Sequence, residues 1–577
     1  MLRSRLYSIR YTCRLRSSSY LRCTRRLLHD NTTGANITKI NGVKLQNKER
    51  LDKIVSNVAS HYPSMSSLQM VQNDPNDTNV NKNINIDEFI SDYVDTKLDR
   101  DIPDIRLTMN GRIETIRTAG KKMCFIDLKN TQNNQTIQLI INYNKLSNKE
   151  NSPLTEKEFI DKISFLRKND YIQVLGYPGI SENKKRTISL KCTSIPILLS
   201  PIQVPLPNSL SNDIKINKNR VLNYQVNGIQ TMVLRSHIIN SIRSFFLKKD
   251  FIEVETPILS NSANGANALP FVTKLNYNNQ DLQLRIAPEL WLKRLIIGGL
   301  NQIFEIGKVF RNESVDSTHN PEFTMLECYQ RYLSMNDLID LAQTLFKHII
   351  KTMIPIIEGT NIQNDTIHEL HKLLQDNDWK FNQIEFLPTL SKEMNVDFNK
   401  VDLSNCTQLM SVIPSEIQKE LFTSLELKSP QTQLSPQRIL DKLCGKYIES
   451  NYCQGLLPTI ILHHPVVMSP LAKINAESDL ISQRFEVFIK GKEYINAYEE
   501  ENCPQLQLEK FQKQHDFKEN DKESIDIDYQ YVETMKSGMP PTGGMGLGID
   551  RLCMLLLEKN RIEQVLSFGS LDDVNIQ

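Results

Sequence analysis

The sharpest alternation of apolar and polar positions in this chain runs from Phe304 to Tyr332, FEIGKVFRNESVDSTHNPEFTMLECYQRY. It predicts two strands, Phe304–Glu313 and Glu322–Tyr332, joined by a short polar loop with Pro321 at its end, hence an antiparallel hairpin. A period of two sends Arg311 and Glu313 to one face of the first strand and Phe323, Glu327 and Tyr329 to one face of the second. Where those faces coincide they form a cleft floor with a fixed guanidinium, carboxylate and phenol groups and an aromatic plane. That chemistry suits a phosphorylated, flat, amine-bearing ligand. The plainer reading is a solvated strand pair with Phe323 in the core.

The same patterning divides the rest of the chain. LQNKERLDKIVSN and Asp87 to Leu98 read as helical pieces on either side of an Asn-rich segment, Asn73 to Asn85, which is low in apolar residues. Five short strands follow in RLTMNGRIETIR, MCFIDLKN, TIQLIINY, YIQVLGYP and ISLKCTSIPIL, with a helical stretch at Glu156–Leu166. Five strands in so short a span predict an OB-fold β-barrel, a fold that holds single-stranded nucleic acid with stacking aromatics and basic residues. Phe125 and Gln138, with Arg112 and Lys121-Lys122 nearby, are the candidates, although Phe125 also fits as barrel filling.

Beyond the Pro-rich linker Pro196 to Pro207 and the basic cluster Lys215, Lys218 and Arg220, the pattern predicts a helix over Leu234–Lys249 and then the strand FIEVETPIL with Pro257. Gly265 falls in a turn that lets a ligand approach the backbone, and Glu289 follows a proline at a helix start. Residues 337–459 are mostly helical in pattern, with a loop near Ser429–Gln437. RFEVFIKGKEYINAYEEEN reads as a hairpin turning at Lys490-Gly491, which pairs Phe488 with Glu493 and puts Glu486 and Glu493 on one face. Two converging carboxylates suit a divalent cation such as magnesium. Asn496, Tyr498 and Glu500 have the opposite parity, so a bulge between Glu493 and Asn496 is required to bring all five into one pocket. Last, GGMGLGIDRLCMLLLE predicts a Gly-rich strand leading into an apolar helix with Arg551 near its positive end.

Composition adds three constraints. No apolar run reaches the roughly 18 to 20 residues that cross a bilayer, so a membrane protein is not expected. The first 29 residues carry eight arginines and no acid, which predicts an organelle-targeting presequence, mitochondrial in type; the alternative is a basic RNA-binding tail. Without those arginines the formal charge moves from +2 to −6, so any RNA must be held by local patches. The ten cysteines include no CxxC pair, in keeping with reduced thiols, and His463-His464 reads as structural.

FRNE, PEFTMLECY and GLGIDR together resemble the second and third signature motifs of the class II aminoacyl-tRNA synthetases, and the helix, strand and Pro257 resemble the first. RIAPELWLKR, SPLAK and INAYEEEN resemble the lysine branch of that family. The resemblance covers nearly everything from Val43 onward and implies an α+β protein. Its parts would be a presequence (1–29), a helical and Asn-rich extension (30–100), an OB-fold anticodon-binding domain (101–200), a linker (201–220) and a catalytic domain (221–577) with an insertion at about 337–459. It implies a lysine–tRNA ligase of the mitochondrial matrix, using ATP and Mg2+, with lysine and tRNA(Lys) as substrates and a homodimer interface at Pro257. The alternatives are a lysine-transferring paralogue that modifies a protein, or a non-catalytic relative.

By the same resemblance Arg311 holds the α-phosphate and the lysine carboxylate, and His319 and Arg551 hold the outer phosphates. Phe323 stacks under adenine, Glu313 reads its amino group, and Asn320, Glu493 and Gly548 complete the ATP site. Glu486 and Glu493 bind magnesium, and Gly265, Glu289, Arg311, Glu327, Tyr329, Asn496, Tyr498 and Glu500 bind lysine. Lysine brings two ammonium groups, and an acid-rich pocket is the electrostatic answer to that. Phe125 would stack on the central anticodon base and Gln138 read an edge. Thr187 stands where the family usually has a Glu, and Glu501 replaces a usual Leu and is expected to face away from the ligand.

Overall fold

The computed structural model describes residues 48–72, 82–147, 154–181, 186–212, 216, 219–266, 268–360, 362–424, 435–516 and 527–569. The presequence, most of the Asn-rich segment, Lys215, Lys218 and most of the 429–437 loop lie outside them. The chain divides into two compact units, Met1–Leu206 and Pro207–Gln577.

In the first unit the alternating segments form β1 (Leu107–Ala119), β2 (Met123–Lys129), β3 (Thr136–Asn142), β4 (Tyr171–Ile180), β5 (Ile188–Cys192) and β6 (Ile197–Ser200), with helix α1 (Glu156–Phe165) between β3 and β4. Antiparallel pairing of β1 with β4 and parallel pairing of β3 with β5 close five strands into a ring. Closure removes the open edges that a five-stranded sheet would otherwise expose. Every second residue points inward, so Met109, Ile113, Cys124, Ile126, Leu128, Leu139 and Ile141 make the barrel core. The last expected strand is two, because the chain bends out of the ladder over residues 193–195, just before Pro196. Helix α1 starts in a reciprocal capping box between Thr155 and Glu158, worth about 1 kcal/mol, and buries Phe159 and Ile163. Helical residues 48–56 are tied to the barrel by Arg50, whose guanidinium meets Asp170 at 2.6 Å and the Ile202 carbonyl at 2.7 Å.

The second unit is built on one eight-stranded sheet. The elements that build this sheet and its site are, in chain order, α2 (Gln230–Lys248), β7 (Ile252–Glu253), α3 (Glu289–Ile297), β8 (Gln302–Phe310), β9 (Glu322–Arg331), α4 (Met335–Glu358), β10 (Asn382–Glu385), β11 (Thr459–Leu462), β12 (Arg484–Ile489), β13 (Lys492–Glu499), α5 (Pro504–His515), α6 (Tyr529–Met535), β14 (Thr542–Gly548) and α7 (Ile549–Leu556). Spatial order is β10-β11-β12-β13-β14-β9-β8-β7, antiparallel except at its two ends. Helices α2, α4 and α7 pack on one face through Ile238, Ile242, Phe246, Leu345, Ile349, Leu552 and Leu556. Within 337–459, α4 belongs to this main core, whereas Phe386, Phe398, Leu409, Ile439, Leu443 and Ile448 form a separate cluster.

The opposite face carries the site. Cross-strand partners share a face, so the register builds two rows of side chains. One row reads Glu327, Gly546, Asn496, Glu486, and the next reads Tyr329, Gly544, Tyr498, Arg484. In each row a glycine of β14 leaves a gap between the larger residues on its two neighbours. The bulge demanded by parity is present: Phe488 pairs with Glu493 but Val487 pairs with Ile495, so Tyr494 is the extra residue.

One expectation fails here. The first strand of the central hairpin ends at Phe310, so Arg311 and Glu313 lie in the connecting loop. The Arg311 N–H still donates to the Pro321 carbonyl at 2.9 Å, but the Asn312 N–H goes to Leu269 at 2.8 Å and draws the chain off the ladder.

Candidate active site

A cavity of about 450 Å³ lies over these rows, and every residue assigned above to ATP, lysine or magnesium lines it. At one end Arg311 lies over the Phe323 ring, its guanidinium carbon 5.2 Å from the centroid, and its Nε reaches the Ile286 carbonyl at 3.4 Å. Burial lowers its pKa, partly opposed by Glu313 and Glu493, so the cation is costly there without an anionic partner. Arg551 donates to the Glu493 carbonyl at 2.8 Å and to His319 Nε2 at 2.8 Å. A guanidinium can only donate, so Nε2 accepts and the proton sits on Nδ1, which bonds Asp316 at 2.8 Å. Asp550 fixes the helix that carries Arg551: one oxygen accepts from the Thr324 N–H at 2.7 Å and the other pairs with Arg235 at 2.6 Å.

At the other end three carboxylates gather. Glu289 accepts from Tyr498 at 2.6 Å and from Lys293 at 2.5 Å, Lys293 also pairs with Glu500, and Tyr329 donates to Glu327 at 2.9 Å. Burial, reinforced by the charge of Glu289 and opposed by the Tyr329 hydrogen bond, pushes Glu327 up to about 8. Burial likewise raises Glu500, against the pull of Lys293. Such a cluster is poised for a cation. Gly265 at φ 101° forms its rim, where a Cβ would sit 3.1 Å from that of Glu289. A Cβ on Gly544 would run into Glu500 and Tyr329. Gly544→Ala is therefore expected to cost about 1–3 kcal/mol of stability and to raise the concentration of cationic ligand needed for half-saturation at least about tenfold. Thermal melts with and without ligand read both, and unchanged affinity would place the cluster outside the binding site.

Between the ends, Glu486 and Glu493 face the same space. Burial opposes the charge of Glu486, but His464 at 3.2 Å and Arg484 at 2.5 Å hold it down at about 2. Glu493, buried beside Glu486, is pushed up to about 7 despite Arg551 and Arg484, and nearby Glu449 to about 7 by burial and Glu486. Two carboxylates facing one space supply hard oxygen donors that fit a magnesium ion shared with phosphates. No group of three or more His, Cys, Asp or Glu among the described residues could cage a metal unaided.

On the barrel, Phe125 alternates with the buried Cys124 and Ile126 and so faces outward, as does Gln138 on the adjacent strand. Arg112 is the correction: it is buried, and its guanidinium is bound by Asn169 at 2.6 Å. Past a bulge between Ile113 and Thr115 it pairs with Lys129 on the Phe125 face, and Arg117, paired with Asp127 at 3.0 Å, is the arginine directly opposite Phe125. Thr187 precedes β5, where Ser189 Oγ meets Gln138 at 3.3 Å. Glu501 turns away from the cavity into ion pairs with Lys510 at 2.7 Å and Lys473 at 3.2 Å.

Two residues escaped the sequence reading. Arg484 bonds Asn496 at 3.1 Å and the Met468 carbonyl at 2.6 Å, and its signal was parity, two residues before Glu486. Lys293 sits one helical turn after Glu289, and its signal was that spacing.

The profile of the family described as tRNA synthetases class II (D, K and N) matches residues 212–572. The mitochondrial lysine–tRNA ligase of Saccharomyces cerevisiae is 47% identical over 549 residues, covering 92% of this chain and 93% of the relative. The mitochondrial enzyme of Schizosaccharomyces pombe is 39% identical over 478 residues, covering 81% and 84%. A lysine–tRNA ligase of Streptococcus suis is 35% identical over 534 residues, covering 89% and 99%. With the signature residues gathered around one cavity and similarity of this extent, the chain belongs to the lysine–tRNA ligases of the class II aminoacyl-tRNA synthetase family.

Proposed function

We propose that this enzyme activates lysine with ATP in the mitochondrial matrix and transfers it to the 3′ end of tRNA(Lys). The observation that carries this reading is one cavity with an acidic end around Glu289, Glu327 and Glu500 and a cationic, aromatic end around Arg311, Phe323 and Arg551. Lysine enters with its two ammonium groups on the carboxylates and its carboxylate toward Arg311 and Asn496. ATP lies with adenine on Phe323, its amino group at Glu313, the α-phosphate at Arg311 and the outer phosphates at His319 and Arg551, with Asn320 and Gly548 at the wall.

The lysine carboxylate attacks the α-phosphorus and the bond to pyrophosphate breaks, giving lysyl-adenylate. The terminal 3′-hydroxyl of the tRNA then attacks the lysyl carbonyl and AMP leaves. No side chain acts as nucleophile. The protein aligns the reactants and neutralises developing charge, which accounts for the cations fixed at one end. Magnesium, held by Glu486 and Glu493, would offset phosphate charge.

Pyrophosphate exchange measured with each amino acid tests the first step, and exchange dependent on a neutral or acidic amino acid instead of lysine would refute it. On the barrel, Phe125 and Gln138 take anticodon bases, with Arg117 in place of the buried Arg112. Phe125→Ala is expected to lower tRNA charging about 5- to 150-fold, the value of a 1–3 kcal/mol stack, while exchange stays normal. Equal loss in both assays would contradict an anticodon role.

The surface around Pro257 exposes Ile252, Ile258 and Leu259 at 50%, 44% and 48%, an apolar patch suited to pairing with a second copy. Sedimentation at micromolar protein should show a dimer, and a monomer there would remove this interface. The presequence composition and the mitochondrial relatives support the location.

A further inference from the structure

We infer that Lys293, which lines no part of the cavity, sets the charge of the lysine pocket by cancelling one of its three carboxylates. This rests on the lysine-binding reading above and extends it to a positioning residue outside the cavity wall. Lys293 is fully buried, with its ammonium 2.5 Å from Glu289 and in contact with Glu500, 5.4 Å from the centre of the Tyr498 ring. All three of those residues line the cavity, and Lys293 stands behind them.

The charge count explains why a cation is buried beneath a cation-binding site. Glu289, Glu327 and Glu500 carry three negative charges when ionised, and Lys293 returns one. Two remain, one for each ammonium of the substrate. Without Lys293, Glu289 and Glu500 would lie close together in a buried space, and one of them would keep a proton when lysine arrives. The surrounding elements leave this count intact. On α3, Arg294 is paired with Asp528; from α5, Lys510 is paired with Glu501; Tyr531 on α6 and Tyr329 on β9 are phenols held un-ionised by burial; and Glu305 on β8 is paired with Arg285. Arg484, beside Tyr498, is taken by Glu486.

The experiment follows lysine-dependent pyrophosphate exchange from pH 6 to 9 in the full-length protein, as wild type, Lys293→Met and Lys293→Met/Glu500→Gln. Exchange by the wild type tests the lysine reading itself, and the variants test the role of Lys293. In Lys293→Met the rising limb of kcat/KM for lysine should move up by at least one pH unit, because the carboxylates that lost their cation hold their protons more tightly. The double variant removes one charge of each sign and restores the count, so it should recover at least tenfold over Lys293→Met at pH 7. A residue that only packs the pocket would lower activity equally at every pH and would make the double variant worse. Should Lys293→Met fail to fold, the charge-balanced double variant decides: kcat/KM for lysine within about a hundredfold of wild type, with its rising limb unmoved, supports the role. A limb that stays in place in Lys293→Met, or a double variant without lysine-dependent exchange, overturns it.

Discussion

Arg311→Ala is expected to lower lysine-dependent pyrophosphate exchange about 1,000-fold while leaving the fold intact. The guanidinium is the cation nearest both the proposed α-phosphate and the lysine carboxylate, so it meets charge that grows at the transition state, where one lost donor typically costs 100- to 1,000-fold. Its structural ties are few: a long hydrogen bond to Ile286 at 3.4 Å and the face of Phe323. Burial already disfavours the charged form, so taking the side chain away relieves a cost as well as removing packing. The thermal midpoint should therefore shift by no more than a few degrees. Arg311→Lys keeps the charge but loses the planar fork and should fall between the two. Near-normal exchange in the alanine variant would remove Arg311 from the chemistry and with it the assignment of the cationic end.

Much of this site could be read from the chain because sheet geometry turns spacing into direction. Parity alone required an irregularity between Glu493 and Asn496, and the extra residue at Tyr494 supplies it. Gly544 and Gly546 read as members of a Gly-rich strand; in the structure they are the gaps into which Tyr329, Glu500 and Glu327 fit. Position 501 was expected to turn away from the ligand, and its carboxylate does so into two lysines.

What parity could not supply was the point where a strand stops or a register slips. Arg311 leaves the ladder because Leu269, far away in sequence, takes the next N–H. Arg112 keeps the Phe125 face through its partner Lys129, yet Asn169, far away in sequence, binds its guanidinium and the side chain is buried. Lys293 shows a different limit. A lysine in an apolar helix reads as its solvated side, and only the acids converging on it, Glu289 on α3 and Glu500 just after β13, make it part of a binding site.

Lysine binding in the absence of ATP should release close to one proton at pH 7, and its affinity should rise as pH increases. The sign follows from the acidic end. Glu327 is raised to about 8 by burial and by the charge of Glu289, and Glu500 is raised in the same direction. Below pH 8 the free site therefore keeps a proton that an incoming ammonium group must displace. Affinity should climb by up to about tenfold per pH unit from pH 6 and level off above 8, since one pKa unit is worth about 1.4 kcal/mol. The same groups act on folding. A carboxyl that binds its proton more tightly in the folded than in the unfolded chain makes the ligand-free protein lose stability as pH rises from its ordinary value near 4.5 toward 8. Lysine should restore part of that loss, so its stabilising effect in thermal melts should grow across the same interval. Calorimetry in buffers of different ionisation heat measures the proton directly. Affinity that stays flat between pH 6 and 8, with no proton released, would mean that the carboxylates facing the cavity are already ionised and that the pocket does not recognise its substrate by filling a protonated acid cluster with cations.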